Sequence, residues 1–248
     1  MTVPVIWFDA LDSTNLEARR RAEAGETGPV WLAARHQSAG RGRRGRPWAS
    51  DSGNLFATLL LVTSRPAGEA AQASFLAALA AADLLEAFAT PGAVAIRWPN
   101  DVTLAGLKAS GILLESGARS DGGLWLAVGI GVNLAHAPEG TERPATALAS
   151  YLRADLARVP DPETALEVLA KAFESWWLRW EREGFVRVLD AWRSLAGGPA
   201  GPCVARLPGE TLSGEAEGVA SDGALRLRLG DGSIRLITAG DVFFGEAA

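Results

Sequence analysis

The 248-residue sequence predicts an α+β protein in which a small C-terminal β-barrel follows a larger domain of strands and helices. Up to about residue 195, short apolar strands alternate with segments of helical periodicity. From about residue 200, short alternating strands are separated by turn pairs such as Asp222-Gly223 and Asp231-Gly232. A barrel of about 45 residues is marginal alone. We therefore expect it to pack on the larger domain, with boundaries at 1–198 and 199–248.

The first helix is predicted over residues 14–24 from signals at both of its ends. Thr14 and Glu17 have the spacing of a capping box, and Gly25 supplies a stop. The last predicted helix carries apolar residues at spacings of three and four, which form one stripe. The other predicted helices cover residues 70–89, 145–154 and 162–195.

The predicted strands are short and mostly apolar, and Pro, Gly, Asn and Asp residues separate them. One pair reads as a hairpin around Gly106, over residues 102–116. The other predicted strands cover residues 3–8, 29–36, 54–62, 93–98 and 123–135.

The composition of the sequence argues against several classes of protein and of binding partner. The net charge is −5, whereas duplex-binding proteins usually carry a basic surplus. Cys203 is the single cysteine, which excludes an intramolecular disulfide and favours a reducing compartment. The first residues lack the pattern of a signal peptide, and the apolar stretch 73–89 contains Asp83 and Glu86 and is short for a bilayer. We expect a soluble, cytoplasmic protein without DNA or membrane binding.

Residues 39–48, "AGRGRRGRPW", form a segment that we call the arginine loop. Its glycines spell the G-x-G-x-x-G of a dinucleotide-binding turn, but Pro47 and the polar residues after it cannot open the long helix that this motif requires. A P-loop motif is absent from the sequence. The local pattern therefore does not predict either kind of nucleotide fold.

The arginine loop is more consistent with a segment that folds around a small anion and binds it than with either of those motifs. Ordering it costs roughly 1–2 kcal/mol per residue, and its four arginines repel one another. A phosphate or carboxylate reverses that balance, because each charge-assisted hydrogen bond contributes about 1.5–3 kcal/mol. Trp48 offers a flat face for a nucleobase, and a place in the core is the lesser alternative for it.

Two further clusters carry chemistry that is ambiguous when each is taken alone. Asn100 and Asp101 follow a strand, where turn residues are common, and Lys108 begins the next strand. Lys108 could be an edge-strand charge or a cation for a reacting carboxylate or phosphate. Gly129 and Gly131 interrupt a buried strand, which marks either close approach of a ligand or a bend.

Taken together, these motifs resemble one family. "DSTN", "HQSAGRGRRGRPW", "RWPNDV", "LKASGILLES" and "VGIGVN" occur in the order and spacing of biotin–protein ligases, from about residue 9 onward. The resemblance implies a mixed-sheet catalytic domain with an SH3-like C-terminal barrel. It also implies that biotin and ATP give biotinyl-5′-AMP and pyrophosphate, and that biotin then passes to one lysine of a biotin carboxyl carrier protein.

The resemblance assigns roles to individual residues, with Lys108, Arg43 and Asp101 as the catalytic group. Asp101 could orient or deprotonate the incoming lysine or help to hold Mg²⁺ that ATP carries. A ligand role for Thr14 competes with its role as a helix cap. The implied biotin site contains Ser13, Thr14, Asn15, Gln37, Arg41, Gly42, Arg43, Lys108 and Gly111. The implied nucleotide site contains Arg41, Arg43, Arg46, Trp48, Asn100, Lys108 and Asn133.

Two other functions stay open as alternatives. A lipoate or octanoate ligase or transferase shares this catalytic fold, although it should lack the arginine loop. A nucleic-acid-binding module could use the loop's arginines, although the net charge and the absence of interleaved aromatics argue against it.

Residues 1–8 leave no room for a winged helix-turn-helix, so we expect a ligase without repressor function. The resemblance leaves a homodimer open, and no covalently bound cofactor is expected.

Overall fold

The larger domain is built on a seven-stranded mixed sheet with the strand order β1-β2-β3-β7-β6-β5-β4. The computed structural model describes residues 3–196 and 199–245. Only β1 and β2 run parallel, and the remaining neighbours are antiparallel. The strands are β1 (Val5–Phe8), β2 (Val30–Ala34), β3 (Leu55–Thr63), β4 (Val94–Arg97), β5 (Asp101–Leu104), β6 (Leu107–Ala118) and β7 (Leu124–Val132). The predicted α+β class is confirmed, and so is the hairpin around Gly106.

The main core lies on one face of this sheet. Alternate residues of β3, such as Leu55 and Leu59, point to that face and belong to the same core as α3, whose alanines and leucines are almost all buried. The helix α3 also packs against α4 and α5. The helices are α1 (Thr14–Glu23), α2 (Ala67–Ala70), α3 (Ala73–Phe88), α4 (Pro162–Glu183) and α5 (Phe185–Ala196).

The opposite face of the sheet is covered by α1, which leaves part of that face open for a site. Ala18 of α1 packs on Leu32, Leu60 and Ala127, which form a second, smaller core. The predicted capping box is wrong, because the N-cap residue is Ser13 and Thr14 already lies inside the helix. The Thr14 hydroxyl instead donates to Gln37 Oε1, at 3.2 Å.

Two predicted helices differ from those observed. Residues 145–154 contain only a short 3-10 turn, Leu148–Tyr151. The backbone there bonds to neighbouring strand ends, for example from Thr146 N–H to the Lys108 carbonyl, so it is not free to form a helix. The helix predicted over 162–195 is two helices, because Gly184 adopts a φ of +79° between α4 and α5.

The C-terminal barrel is a five-stranded antiparallel sheet with the strand order β11-β10-β9-β8-β12. The predicted turns at Gly223 and Gly232 are both present, with positive φ. Trp98 Nε1 donates to the Gly223 carbonyl at 3.0 Å, which fastens the barrel to the larger domain. The predicted boundary at residue 198 lies outside the described residues. The strands are β8 (Ala200–Leu207), β9 (Glu210–Val219), β10 (Leu225–Leu229), β11 (Ile234–Ile237) and β12 (Asp241–Phe244).

One apolar helical segment matters for the question of membrane binding. By length and composition alone, Ala67–Phe88 could cross a bilayer, and it is the single such segment within the residues that the structure describes. However, 61% of its most apolar window is buried inside the protein, and α3 supplies the centre of the main core. Burial in this domain accounts for its apolar character.

Candidate active site

A cavity of about 550 Å³ opens on the sheet face beside α1. Its size is typical of a pocket for a small molecule. The N-terminus of α1, the arginine loop, strands β5, β6 and β7, the loop after β7 and strand β12 contribute to its wall. All the site residues predicted above line it: Ser13, Thr14, Asn15, Gln37, Arg41, Gly42, Arg43, Arg46, Trp48, Asn100, Asp101, Lys108, Gly111 and Asn133.

One end of the cavity is a buried network of neutral polar groups. The Thr14 backbone N–H donates to Gln37 Oε1 at 2.9 Å, and Gln37 Nε2 donates to Ser50 Oγ at 3.1 Å. The Thr58 hydroxyl lies 2.8 Å from Thr14 Oγ1 and 2.7 Å from Asn15 Oδ1. These groups supply both donors and acceptors in fixed positions, as recognition of a polar, uncharged ligand head requires.

The floor of the cavity depends on three glycines of the sheet. A Cβ on Gly129 would lie 2.0 Å from Asn15 Oδ1, and one on Gly131 would lie 2.6 Å from the Trp48 ring. At Gly111 a Cβ would lie 2.9 Å from the same ring. The prediction left close approach of a ligand or a bend open for Gly129 and Gly131, whereas the atoms that lie close to them belong to protein side chains. The glycines let Asn15 and Trp48 lie flat against the sheet.

The opposite end is cationic and centres on Asp101, which is 2% exposed. Lys108 Nζ lies 2.6 Å from Asp101 Oδ1, and Arg143 Nη1 lies 2.5 Å from Asp101 Oδ2. Lys108 Nζ also lies 5.4 Å from the centroid of the Trp48 ring. Two cations therefore share one carboxylate, so the cluster of Asp101, Lys108 and Arg143 carries one net positive charge in the cavity wall.

Carboxylates hold most of the arginine loop. Arg41 pairs with Glu115 at 3.0 Å, while Arg44 and Arg46 both pair with Asp241 of the barrel, at 3.1 and 2.5 Å. The expectation that these arginines mainly repel one another is therefore wrong, because partners distant in sequence neutralise three of them. Burial by itself would raise the pKa of Asp241, but the loop arginines outweigh it and hold that pKa below the usual range.

Arg43 is the one loop arginine that forms no ion pair with a carboxylate in the part of the chain that the structure describes. Its Nη1 donates to Asn100 Oδ1 at 3.3 Å, and Asn100 Nδ2 in turn donates to the Ile112 carbonyl at 2.6 Å. Burial lowers the pKa of the Arg43 guanidinium, and the nearby Asp241 and Asp101 charges oppose that shift. An anion in the cavity would be its natural partner.

Two buried N–H donors in the cavity wall have no hydrogen-bond acceptor among the described residues. They are Arg41 Nε and Trp48 Nε1. Because a buried donor without an acceptor costs free energy, such groups in a cavity wall point to acceptors on a ligand.

Four residues that shape this site were not predicted as site residues. Thr58 and Glu115 hold Asn15, Glu115 also holds Arg41, Arg143 holds Asp101, and Asp241 holds Arg44 and Arg46. Only Glu115 lay inside a quoted motif, "LKASGILLES". The other three have no local pattern that could identify them, because each is defined by a partner far away in the chain.

Metal binding was predicted only through Asp101. Within residues 3–196 and 199–245, no group of three or more His, Cys, Asp or Glu side chains is placed to hold a metal ion. Both Asp101 oxygens already lie in ion pairs. Asp101 therefore does not fit direct Mg²⁺ coordination without first losing Lys108 or Arg143.

The fold and the site together define a class of protein. A mixed sheet with a docked small barrel carries one cavity with a neutral polar end and a cationic end bounded by arginines. Such a cavity suits a ligand that joins an uncharged polar head to carboxylate or phosphate groups.

Comparison with known proteins gives the family. The model of the biotin/lipoate A/B protein ligase family matches residues 7–133, and that of the biotin protein ligase C-terminal domain matches residues 202–245. A biotin–acetyl-CoA-carboxylase ligase of Paracoccus denitrificans is 44% identical over 94% of this chain and 98% of its own length. This chain belongs to the biotin/lipoate A/B protein ligase family, and its C-terminal part is the SH3-like domain of biotin protein ligases.

Other relatives agree with this assignment. The bifunctional ligase/repressor BirA of Bacillus subtilis is 30% identical over 97% of this chain and 74% of its own length. The biotin protein ligase of Aquifex aeolicus in complex with biotin and ATP superposes with a TM-score of 0.76, at 24% identity, over 98% of this chain and 99% of that one. The Leishmania major biotin protein ligase in complex with biotinyl-5-AMP gives 0.64 at 23% identity, over 96% and 100%. These two structures confirm the fold.

Proposed function

We propose that this protein is an ATP-dependent biotin–protein ligase. It activates biotin as biotinyl-5′-AMP and transfers the biotinyl group to a lysine of a biotin carboxyl carrier protein. The observation that carries the proposal is that fourteen residues from separate motifs line one cavity with a neutral end and a cationic end. The 44% identity to a biotin–acetyl-CoA-carboxylase ligase supports it. A cytoplasmic location and a homodimer remain predictions.

The first step joins two anions. A carboxylate oxygen of biotin attacks the α-phosphorus of ATP, the bond to the bridging oxygen breaks, and pyrophosphate leaves. In our proposal the ureido ring lies at the polar end, beside Ser13, Thr14, Asn15 and Gln37, and the carboxylate points to Lys108. Positive charge at that point offsets the repulsion between the reacting groups and stabilises the charge that develops in the transition state.

We assign the other predicted residues by their place in the wall. Arg41, Arg43 and Arg46 surround the phosphate end, and the backbone at Gly42 allows close approach. All three line the same cavity as Lys108, and Arg46 pairs with the barrel carboxylate Asp241, which supports this assignment. Trp48, Asn100, Gly111 and Asn133 complete the nucleotide and biotin contacts: Trp48 flanks the ligand, Gly111 keeps the floor flat, and the two asparagines hold the surrounding loops.

The second step releases AMP. The acceptor lysine nitrogen attacks the acyl carbon, the bond from that carbon to the phosphate oxygen breaks, and the attacking nitrogen loses a proton. The two ion pairs of Asp101 support a role that was not among those left open, namely orientation of Lys108. Mg²⁺ enters this proposal only with ATP, as a counterion for its phosphates.

Biotin is preferred to lipoate for two reasons. The family model that matches residues 7–133 covers both kinds of ligase, but the C-terminal model that matches residues 202–245 is that of biotin protein ligases. The arginine loop, which the lipoate alternative should lack, is also present and lines the cavity. The nucleic-acid alternative is disfavoured because Arg41, Arg43 and Arg46 face this cavity, as a small anion requires.

The adenylation assay tests the proposal directly. Purified protein with biotin, ATP and Mg²⁺ should release pyrophosphate and form an acid-labile biotinyl adenylate, and a carrier domain should then become biotinylated. Lipoate in place of biotin should give at most background release. Absence of pyrophosphate with biotin would overturn the proposal, and preferential release with lipoate would replace it with the alternative ligase. Salt-sensitive oligonucleotide binding that ignores biotin would favour the nucleic-acid module.

Gly131→Ala tests the floor of the cavity. The new Cβ would lie 2.6 Å from Trp48, so the indole must move from its place over the sheet. Overpacking of this kind costs about 1–3 kcal/mol, so we expect the KM for biotin and ATP to rise about tenfold. Steady-state pyrophosphate release measures this change. Gly68→Ala is the matched control, because its Cβ meets no atom within 4 Å. Unchanged KM values in Gly131→Ala would contradict the role of the glycine floor.

A further inference from the structure

Arg44 is the one arginine of the arginine loop that does not line the cavity. Its side chain turns the other way, toward the C-terminal barrel. Nη1 lies 3.1 Å from Asp241 Oδ2, and Nη2 donates to the Arg206 carbonyl at 3.0 Å. Asp241 of β12 and Arg206 of β8 are directly opposite each other in the antiparallel pairing of these two strands. Both acceptors of the Arg44 side chain therefore belong to one residue pair of the barrel sheet.

The backbone of Arg44 also has an unusual conformation. Its φ of +56° and ψ of +26° lie in the left-handed region, which residues other than glycine and asparagine rarely adopt. The neighbouring Gly45 has a φ of +71°. A non-glycine residue keeps such a conformation only where surrounding contacts hold it. The two bonds from the Arg44 side chain to the barrel are contacts of that kind.

Asp241 links Arg44 to the part of the loop that does line the cavity. Its second oxygen pairs with Arg46 at 2.5 Å, and Arg46 is a wall residue. Asp241 is 7% exposed, and it is the single barrel residue in the wall among residues 199–245. The buried Asp241 carboxylate thus pairs both with Arg44, which lies outside the cavity wall, and with Arg46, which lies in it.

We propose that Arg44 is a positioning residue which fastens the arginine loop to the barrel through Asp241 and the Arg206 carbonyl. It sets the places of Arg43 and Arg46 against the ligand without touching the ligand itself. The barrel thereby contributes to nucleotide affinity although, within residues 199–245, it supplies a single residue to the cavity wall. The kinetic part of this inference rests on the proposed function.

Arg44→Gly removes the side chain without penalising the backbone, since glycine accepts a positive φ. Arg44 and Asp241 form a charge-assisted contact whose arginine is 38% exposed. We therefore expect the KM for ATP and the rate of adenylate release to rise about fivefold, with kcat changed less than about twofold. Arg44→Lys should recover part of the loss, because lysine keeps the positive charge but lacks the planar guanidinium that donates to two acceptors at once. Arg119→Gly, which removes an arginine that does not line the cavity, is the matched control.

A double-mutant cycle tests the route through the barrel. Asp241→Asn should raise the same constants, and Arg44→Gly should add little in the Asp241→Asn background, because the contact is already weakened. Glu210→Gln, which removes another barrel carboxylate that pairs with an arginine, serves as its control. Fully additive effects, or an Arg44→Gly enzyme with wild-type constants, would overturn the proposal.

Amide hydrogen exchange over residues 40–48 gives a readout that does not depend on catalysis. In the protein without added ligand, Arg44→Gly should lose protection across the loop, whereas Arg119→Gly should keep it. If the wild-type protein releases no pyrophosphate but Arg44→Gly still loses protection, the proposed function fails and the positioning role stands. Equal protection in the wild type and Arg44→Gly would refute the positioning role.

Discussion

Lys108→Gln should reduce pyrophosphate release by about 100- to 1,000-fold, which corresponds to the loss of a group that stabilises developing charge. Lys108 Nζ lies at the cationic end of the cavity, 2.6 Å from Asp101. Without it, the biotin carboxylate and the α-phosphate would meet with less compensation of their charges. Asp101 keeps its pair with Arg143, so its buried carboxylate is not left without a partner and the fold should persist.

The chain supplies its own control for this experiment. Lys171 is the only other lysine and lies exposed on α4, so Lys171→Gln should leave pyrophosphate release unchanged. Lys108→Arg keeps the positive charge but replaces the compact ammonium with a planar guanidinium. It should therefore recover only part of the rate of pyrophosphate release. If Lys108→Gln kept more than about a tenth of the wild-type rate at saturating substrates, Lys108 would not be a catalytic residue.

Arg43→Gly should convert the enzyme into one that lets its adenylate escape. Arg43 is held by Asn100 and has no carboxylate partner in the described part of the chain, which leaves its guanidinium to the ligand. Loss of one charge-assisted contact, about 1.5–3 kcal/mol, should speed adenylate dissociation roughly 10- to 100-fold. Pyrophosphate release should continue, while lysines of a bystander protein become biotinylated by free adenylate.

Two measurements distinguish loss of the contact from loosening of the loop. Arg43→Ala removes the same side chain without the added backbone freedom of glycine, so it should release adenylate nearly as fast. Arg119→Gly should retain adenylate as the wild type does. A half-life of bound adenylate that is the same in Arg43→Gly and in the wild type would show that Arg43 does not hold this intermediate.

The large features of this protein follow from local patterns in the sequence. The strand order along the chain, the hairpin around Gly106 and the turns of the C-terminal barrel are set by residues that are neighbours in sequence. Errors occurred where a local signal competed with tertiary contacts. The Thr14 hydroxyl bonds to Gln37 instead of capping its helix, and residues 145–154 bond to strand ends instead of forming a helix.

The sequence by itself also predicted fourteen residues that line the cavity, because the family resemblance concentrates them in short motifs. Only the tertiary structure decided how their charges are balanced. Arg41 pairs with Glu115 across 74 residues, Arg143 with Asp101 across 42, and Arg44 with Asp241 across 197. No spacing rule connects such partners, because only the complete path of the chain brings them together. For that reason the sequence predicted that the arginine loop binds a small anion. Only the tertiary structure showed that Asp241 of the barrel pairs with Arg44 and Arg46 of that loop.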